Sequence, residues 1–160
     1  MKIDNRPSQK DEGRVAQKDL DKKKVIEALN IILEGELAGV VRYTHYSLMV
    51  FGHNRIPIVG WLREQATESL GHAATAGEHI TTLDGHPSLK IAKLLETQKH
   101  AIGDILKESL THEVEQLANY HRLLELVEGR SVFLEEYCRT MIHDEEVHVS
   151  EVQKMLRKPE

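Results

Sequence analysis

Carboxylate and imidazole groups dominate the reactive side chains of this chain, which has 10 histidines and 26 acidic residues against one cysteine. The single cysteine excludes a disulfide framework and a cysteine-based zinc site. Four segments with helical periodicity each carry acidic or histidine residues on the apolar face: two carry a glutamate, and two carry a glutamate and a histidine three or four residues apart. These residues are Glu36, Glu68, His72, Glu113, Glu145 and His148.

This set of four carboxylates and two imidazoles predicts a centre for two metal ions. An ionised carboxylate among apolar side chains is costly unless a positive partner neutralises it. Carboxylates can bridge two first-row divalent or trivalent ions, with histidines completing the coordination. Glu36 precedes Glu68 by 32 residues, and Glu113 precedes Glu145 by 32 residues. The repeated spacing indicates two halves that meet at one centre with pseudo-twofold symmetry.

Two tyrosines belong to the same pattern, because Tyr43 and Tyr120 follow Glu36 and Glu113 by two helical turns each. They are candidates to hydrogen-bond the centre from beside it. Cys138 is expected to be a small buried apolar residue. The other eight histidines are expected at the surface or around the centre. They are His45, His53, His79, His86, His100, His112, His121 and His143.

The elements that position these residues are four predicted helices. Asp19 and Asp21 are start signals for the first helix, Pro57 suits a first helical turn, and Ser131 can cap the fourth helix. Short turns make the first two helices, and the last two, antiparallel hairpins. Residues 85–95 form a longer connection that can carry the chain from one end of a bundle to the other. The sequence thus predicts an all-α four-helix bundle with helices at about 20–52, 57–83, 96–128 and 131–157.

Composition agrees with a single globular domain. Hydrophobic residues make up 40% and charged residues 29%, and aromatic residues, at 4%, are too few for a typical β-sandwich. The net charge of −5 provides no general attraction to nucleic acid or anionic lipid. No run of 18 apolar residues occurs and no secretory signal is visible, so a cytoplasmic protein is expected. Residues 1–18 are predicted to be a flexible polar arm, and residues 19–160 the bundle domain.

At these positions the chain resembles the ferritin-like superfamily, and bacterioferritin in particular, over about residues 20–155. The resemblance implies a ferroxidase that oxidises Fe²⁺ with O₂ or peroxide at a centre for two iron ions, for iron detoxification or storage. The resemblance also implies the role of each residue. Glu36 and Glu113 would be terminal ligands, and His72 and His148 would each bind one iron. Glu145 would bridge the two iron ions, and Tyr43 would lie beside the centre. Manganese or zinc could occupy the same ligands. The segments that carry the resemblance are GELAGVVRYTHY, HAATAGEHITTLDGHPSL, LTHEVEQLANYHRLL and MIHDEEVHVSEV.

The second helix departs from the family pattern, which has Glu-x-x-His there. Ser69 occupies the position of the carboxylate, and Glu68 comes one residue early. As the second bridging ligand, Glu68 needs either a local helix bulge, which Gly71 would make easier, or a rotated carboxylate.

Two further departures bear on haem and assembly. Bacterioferritins bind haem through a methionine that follows this glutamate, and here Ser69, Leu70 and Gly71 fill the interval, so haem is not expected. The family's short fifth helix has no counterpart among the 12 residues after His148. A homo-oligomer is therefore expected as a dimer or a 12-subunit shell in preference to a 24-subunit shell.

Three alternatives to a ferroxidase remain. The same ligands could serve a di-manganese or di-iron enzyme that consumes peroxide. The arm carries five basic residues within positions 1–18, as in DNA-protecting miniferritins, but neighbouring acids neutralise much of its charge, and DNA is not an expected partner. With Ser69 in the ligand position, the bundle could also be a structural module with a degenerate site.

Overall fold

The computed structural model describes residues 19–158 as four α-helices, and no strand occurs among them. The N-terminal arm at residues 1–18 lies outside this range. Within it, no helix is both long and apolar enough to cross a membrane. The helices are α1 (Lys22–Met49), α2 (Arg55–Thr82), α3 (Ile102–Val127) and α4 (Val132–Leu156).

Polar side chains cap the starts of α1 and α4, close to where the sequence predicts these helices to begin. The side chain of Asp21 accepts a hydrogen bond from Lys24 N at the start of α1, and that of Ser131 accepts one from Leu134 N at the start of α4. Each cap satisfies a backbone N–H that has no partner within its helix. Gly129, with a φ of 67°, ends the third helical segment in the left-handed conformation that glycine adopts without strain.

The helices pack as two hairpins, α1 with α2 and α3 with α4, joined along the α1–α3 face. Gln116 Nε2 donates to Ile32 O at 3.3 Å, and Tyr46 OH donates to Glu108 Oε2 at 2.5 Å. Residue numbers therefore rise along α1 as they fall along α3, and these two helices are antiparallel. The prediction of a four-helix bundle built from two hairpins is confirmed.

The connection between α2 and α3 runs along the outside of α1. Ser88 N donates to Asn30 Oδ1 at 2.7 Å near the start of α1, and Glu96 lies beside His45 near its end. Residues 83–101 thus return the chain to the far end of the bundle, as predicted from the length of the connection.

The third helix begins later than predicted, at Ile102 instead of about residue 96. Gln98 has a φ of 56°, which is incompatible with a right-handed helix, and its N–H donates to Glu96 Oε1 at 2.5 Å. Thr97 donates its hydroxyl hydrogen to Glu108 on α3. These polar contacts hold residues 96–101 as an ordered turn, so the helical periodicity of this segment was misleading.

Two apolar clusters fill the bundle, and a polar layer separates them. The larger cluster joins residues of all four helices around Leu29, Ile80 and Leu123, and the smaller one lies around Tyr43, Leu62 and Ile105. The buried polar side chains between the clusters include three glutamates, Glu36, Glu113 and Glu145.

Two glycines allow α1 to approach α3 and α2 at this layer. A Cβ atom on Gly35 would lie 2.1 Å from Gln116 Oε1, and one on Gly39 would lie 2.8 Å from Ser69 Oγ and 2.9 Å from His112 Nε2. A side chain at either position would therefore displace a buried polar side chain of α2 or α3.

We expect Gly35→Ala to destabilise the protein by about 1–3 kcal/mol, since the added methyl group displaces the buried Gln116 from its bond to Ile32. Chemical denaturation at fixed protein concentration measures the change. Gly77→Ala is the matched control, because no heavy atom outside its own helix backbone and neighbours lies within 4 Å of a Cβ there, and alanine favours a helix. If Gly35→Ala and Gly77→Ala were equally stable, the close approach of Gly35 to Gln116 would be contradicted.

Candidate metal centre

Five of the six predicted ligands meet in the middle of the bundle. Glu36, His72 and Glu145 form one group in which each residue offers an atom within 4.8 Å of the others, and Glu113, Glu145 and His148 form a second group. Glu145 belongs to both groups. The arrangement therefore offers two adjacent sites for cations, with one shared carboxylate between them.

The distances within these groups are those of ligands around ions. His72 Nδ1 lies 3.6 Å from Glu36 Oε1 and 3.4 Å from Glu145 Oε1. His148 Nδ1 lies 3.7 Å from Glu113 Oε2 and 3.8 Å from Glu145 Oε2. Charged groups that bond directly approach to about 2.7–2.9 Å. Two donors at about 2.0–2.2 Å from one ion lie about 3.0–3.5 Å apart for common coordination angles, so small side-chain movements would complete either site.

Glu145 provides an independent test of whether these residues fit a metal ion. Its Oε2 atom is buried and, among the described residues, has no hydrogen-bond partner. A buried carboxylate oxygen without a partner is costly. A cation between Glu145, Glu113 and His148 would satisfy it, and the donor set of carboxylate oxygens and imidazole nitrogens suits iron, manganese and zinc alike.

The two tyrosines hydrogen-bond the terminal carboxylates crosswise. Tyr43 on α1 donates to Glu113 Oε1 on α3, and Tyr120 on α3 donates to Glu36 Oε1 on α1 at 2.8 Å. Both tyrosines are buried. The structure thus places both predicted tyrosines against carboxylates of the candidate centre, and their bonds fix the orientation of one oxygen of each carboxylate from the opposite helix.

Burial and mutual repulsion oppose ionisation of the outer carboxylates. Burial raises the pKa of Glu36, and it raises the pKa of Glu113 to about 8. Burial acts in the same direction on Glu145, but its contacts with His148 and His72 outweigh it and hold the pKa of this carboxylate at about 2. Without a metal, Glu145 is therefore the anion that the two imidazoles stabilise.

The two imidazoles are correspondingly cationic in the metal-free protein. Burial opposes the charge of His72, but Glu145 and Glu36 raise its pKa to about 10. Glu113 and Glu145 raise the pKa of His148 to about 11. The rings lie 6.5 Å apart and nearly parallel, one on each side of Glu145. A metal ion bound to either ring would replace the proton on the coordinating nitrogen.

The bulge in α2 that would bring Glu68 towards the bridging position is absent. The helix runs without interruption through Arg55–Thr82, so Ser69 faces the interior and Glu68 lies to one side with 41% of its side chain exposed. Glu68 Oε1 lies 3.3 Å from His148 Nε2, the ring nitrogen that faces away from the other ligands. Glu68 belongs to neither group of three ligands.

Sequence reasoning did not single out Gln116 and left His112 open between the surface and the surroundings of the centre, and both side chains line the centre. Both are buried, and burial together with the charge of Arg42 lowers the pKa of His112 to about 4, so its imidazole is neutral. His79 is also buried, against the Phe133 and Tyr137 rings. The signal for His112 and Gln116 was available in their spacing, because residues four apart share a helix face.

Comparison with known proteins supports these observations. A family model for the ferritin-like domain matches residues 26–160. A ferritin-like diiron-carboxylate protein from Bacillus anthracis has a TM-score of 0.81 at 26% identity, over 86% of this chain and 98% of that one. Bacterioferritin from Rhodobacter capsulatus has a TM-score of 0.73 at 26% identity, over 84% of each chain.

A dodecameric thioferritin from Bacteroides fragilis, described as bacterioferritin-related, has a TM-score of 0.80 over 86% of each chain, and its 23% identity indicates a likeness of fold alone. No curated protein sequence matches this chain. The family match covers most of the chain, and the candidate ligands lie on all four helices of the fold. The chain therefore belongs to the family of ferritin-like domains.

Proposed function

We propose that this protein is a ferroxidase, which binds two Fe²⁺ ions between its helices and oxidises them with O₂ or peroxide for iron detoxification or storage. The observation that supports this most directly is the pair of three-ligand groups that share Glu145. Two adjacent metal ions can each deliver one electron to a two-electron oxidant such as peroxide. The diiron-carboxylate protein from Bacillus anthracis supports iron as the metal.

In this proposal the protein holds the ions and controls the charge around them. Glu36 and His72 bind one ion, Glu113 and His148 bind the other, and Glu145 bridges both. Tyr43 and Tyr120 keep Glu113 and Glu36 oriented, because each hydroxyl bonds one oxygen of the carboxylate that it contacts. At Glu113 the second oxygen, Oε2, faces His148 and remains for the ion, whereas at Glu36 the oxygen bonded by Tyr120 is also the one that faces His72.

We assign Glu68 a positioning role in place of the predicted bridging role. Its carboxylate lies next to His148 Nε2 while His148 Nδ1 faces Glu113 and Glu145. A carboxylate at the outer nitrogen of a histidine ligand favours the tautomer that leaves the inner nitrogen free to bind metal. On α2, Ser69 faces the centre with a hydroxyl group where the family has a carboxylate, so a single protein carboxylate bridges the two ions.

Assembly into a homo-oligomer is part of the proposal. Several large apolar side chains on the α2–α3 connection and the outer side of α1 are exposed in the isolated chain, including Leu89, Leu95, Ile31 and Leu48. Soluble monomers rarely leave such a group of apolar side chains in water. The thioferritin from Bacteroides fragilis, which has the same fold, is a dodecamer.

The metal-free protein should bind about two Fe²⁺ per chain anaerobically and consume O₂ when air is admitted. Glu145→Gln should slow oxidation by more than about 100-fold, because both ions lose the shared carboxylate. Glu68→Gln should slow it by about tenfold or less, because only the orientation of His148 changes. Oxygen uptake measures both rates.

Glu146→Gln is the matched control for Glu145, since Glu146 is the next residue of α4 and is exposed. It should oxidise iron at the wild-type rate. Oxidation by Glu145→Gln at the wild-type rate would refute the proposed centre. Rapid peroxide disproportionation with manganese, and none with iron, would favour a di-manganese enzyme instead.

Metal binding should release protons, and the apparent affinity should rise with pH between 6 and 8. His72 and His148 have raised pKa values and carry protons at these pH values, whereas a histidine binds metal only as the neutral ring. Calorimetry with Zn²⁺ in buffers of different ionisation enthalpy measures the number of protons released. A heat of binding that is independent of the buffer would contradict this prediction.

Light scattering on the eluting protein, followed by aerobic iron loading of the same peak, tests storage. A hollow shell should retain on the order of hundreds of iron atoms per particle, because mineral can grow in the enclosed space. A small oligomer that stops at about two iron atoms per chain would support oxidation without storage.

A further inference from the structure

A second group of metal-ligand residues lies outside the centre, where the α2–α3 connection meets α1. It consists of His45 near the end of α1 and of Glu96 and His100 just before α3. Each of the three offers a ligand atom within 4.8 Å of the others. We propose that these residues bind one first-row divalent cation, with Zn²⁺ or Fe²⁺ as the expected occupants, and that the ion clamps the connection to α1.

The positions of the donor atoms carry this proposal. The Glu96 carboxylate lies between the two rings, with Oε2 3.2 Å from His45 Nε2 and Oε1 3.8 Å from His100 Nε2. These separations bracket the spacing of about 3.4 Å between two donors on one tetrahedral zinc ion. The imidazole rings are 5.7 Å apart, so a single ion could bind a nitrogen of each after a small adjustment.

His45 provides a second, independent observation. Its Nε2 atom is buried and, among the residues that the structure describes, forms no hydrogen bond, although Glu96 Oε2 is 3.2 Å away. The contact thus lacks the alignment of a hydrogen bond. A buried ring nitrogen that faces a carboxylate without bonding it is satisfied by a cation that both of them bind.

The surroundings favour a cation and fix the ligands. Glu108 accepts hydrogen bonds from Tyr46 and Thr97, and so ties α1 and the connection to α3 beside the site. Glu96 and Glu108 thus place two carboxylates beside the site, while the Arg42 guanidinium donates to Tyr46 OH at 3.1 Å.

The backbone at residues 96–101 brings the ligands together. Glu96 and His100 are not on one helical face, because the chain turns at Gln98 with a positive φ before α3 begins. A cavity of about 180 Å³ borders His45 and Glu96. It leaves space for water as a fourth ligand, so two histidines, one carboxylate and water complete a tetrahedral zinc site.

The test counts Zn²⁺ bound by the whole protein at equilibrium, in the wild type and in His45→Ala/His100→Ala. The double variant should bind one Zn²⁺ fewer per chain, and single variants should weaken that site by at least about tenfold. His121→Ala is the matched control, because His121 is an exposed histidine in α3. It should bind as many Zn²⁺ ions as the wild type.

Two measurements separate this site from the centre inside the bundle. In Glu145→Ala/His148→Ala, one Zn²⁺ per chain should still bind, and its binding should slow hydrogen exchange at residues 94–101. If Glu145→Ala/His148→Ala does not fold, the test uses the wild type instead. There Zn²⁺ should slow hydrogen exchange at residues 94–101, and this effect should disappear in His45→Ala/His100→Ala. An equal metal count in the wild type and His45→Ala/His100→Ala, or exchange at residues 94–101 that Zn²⁺ does not change, would overturn the proposal. Neither result depends on iron oxidation.

Discussion

Three glutamate side chains from α1, α3 and α4 face one another inside the bundle, where little water separates their charges. Glu36, Glu113 and Glu145 are each at most 5% exposed. Carboxylates in such a place must be protonated or neutralised by nearby positive charge. In the metal-free chain, protonated His72 and His148 supply that charge on the two sides of Glu145. Metal ions bound to the same nitrogens would replace these protons.

The rest of the bundle serves this requirement. Two apolar clusters close the polar layer at both ends and provide the burial that the charged layer does not. Gly35 and Gly39 let α1 lie against polar side chains of α3 and α2, so that the glutamates of opposite helices meet. Tyr43 and Tyr120 then bond across the bundle and hold each terminal carboxylate from the opposite helix.

In α2, Ser69 occupies the position where the family pattern has a glutamate, and this changes the charge around the centre. Ser69 faces inward and Glu68 lies beside the outer nitrogen of His148, so the two three-ligand groups contain three carboxylates and Glu68 belongs to neither. A bulge could have brought Glu68 inward, but it would have broken backbone hydrogen bonds within an otherwise regular helix. The regular helix prevails. His112 and Gln116 line the space beside Ser69, and the neutral His112 ring adds no charge there.

The sequence by itself determined the four helices, the hairpin pairing, and five of the residues that meet at the centre. Helical periodicity decides which residues share a face, and repeated spacing along two hairpins decides which faces meet. Contacts between segments far apart in the chain were decided only by the tertiary structure. They include the crosswise tyrosine bonds, the outward position of Glu68, and the burial of His112. They also include the turn at residues 96–101, where bonds of Glu96 and Thr97 override local helical preference and bring Glu96 and His100 to His45. The physical reason is that these positions depend on packing and on neutralising buried charge across helices, which no local pattern of residues encodes.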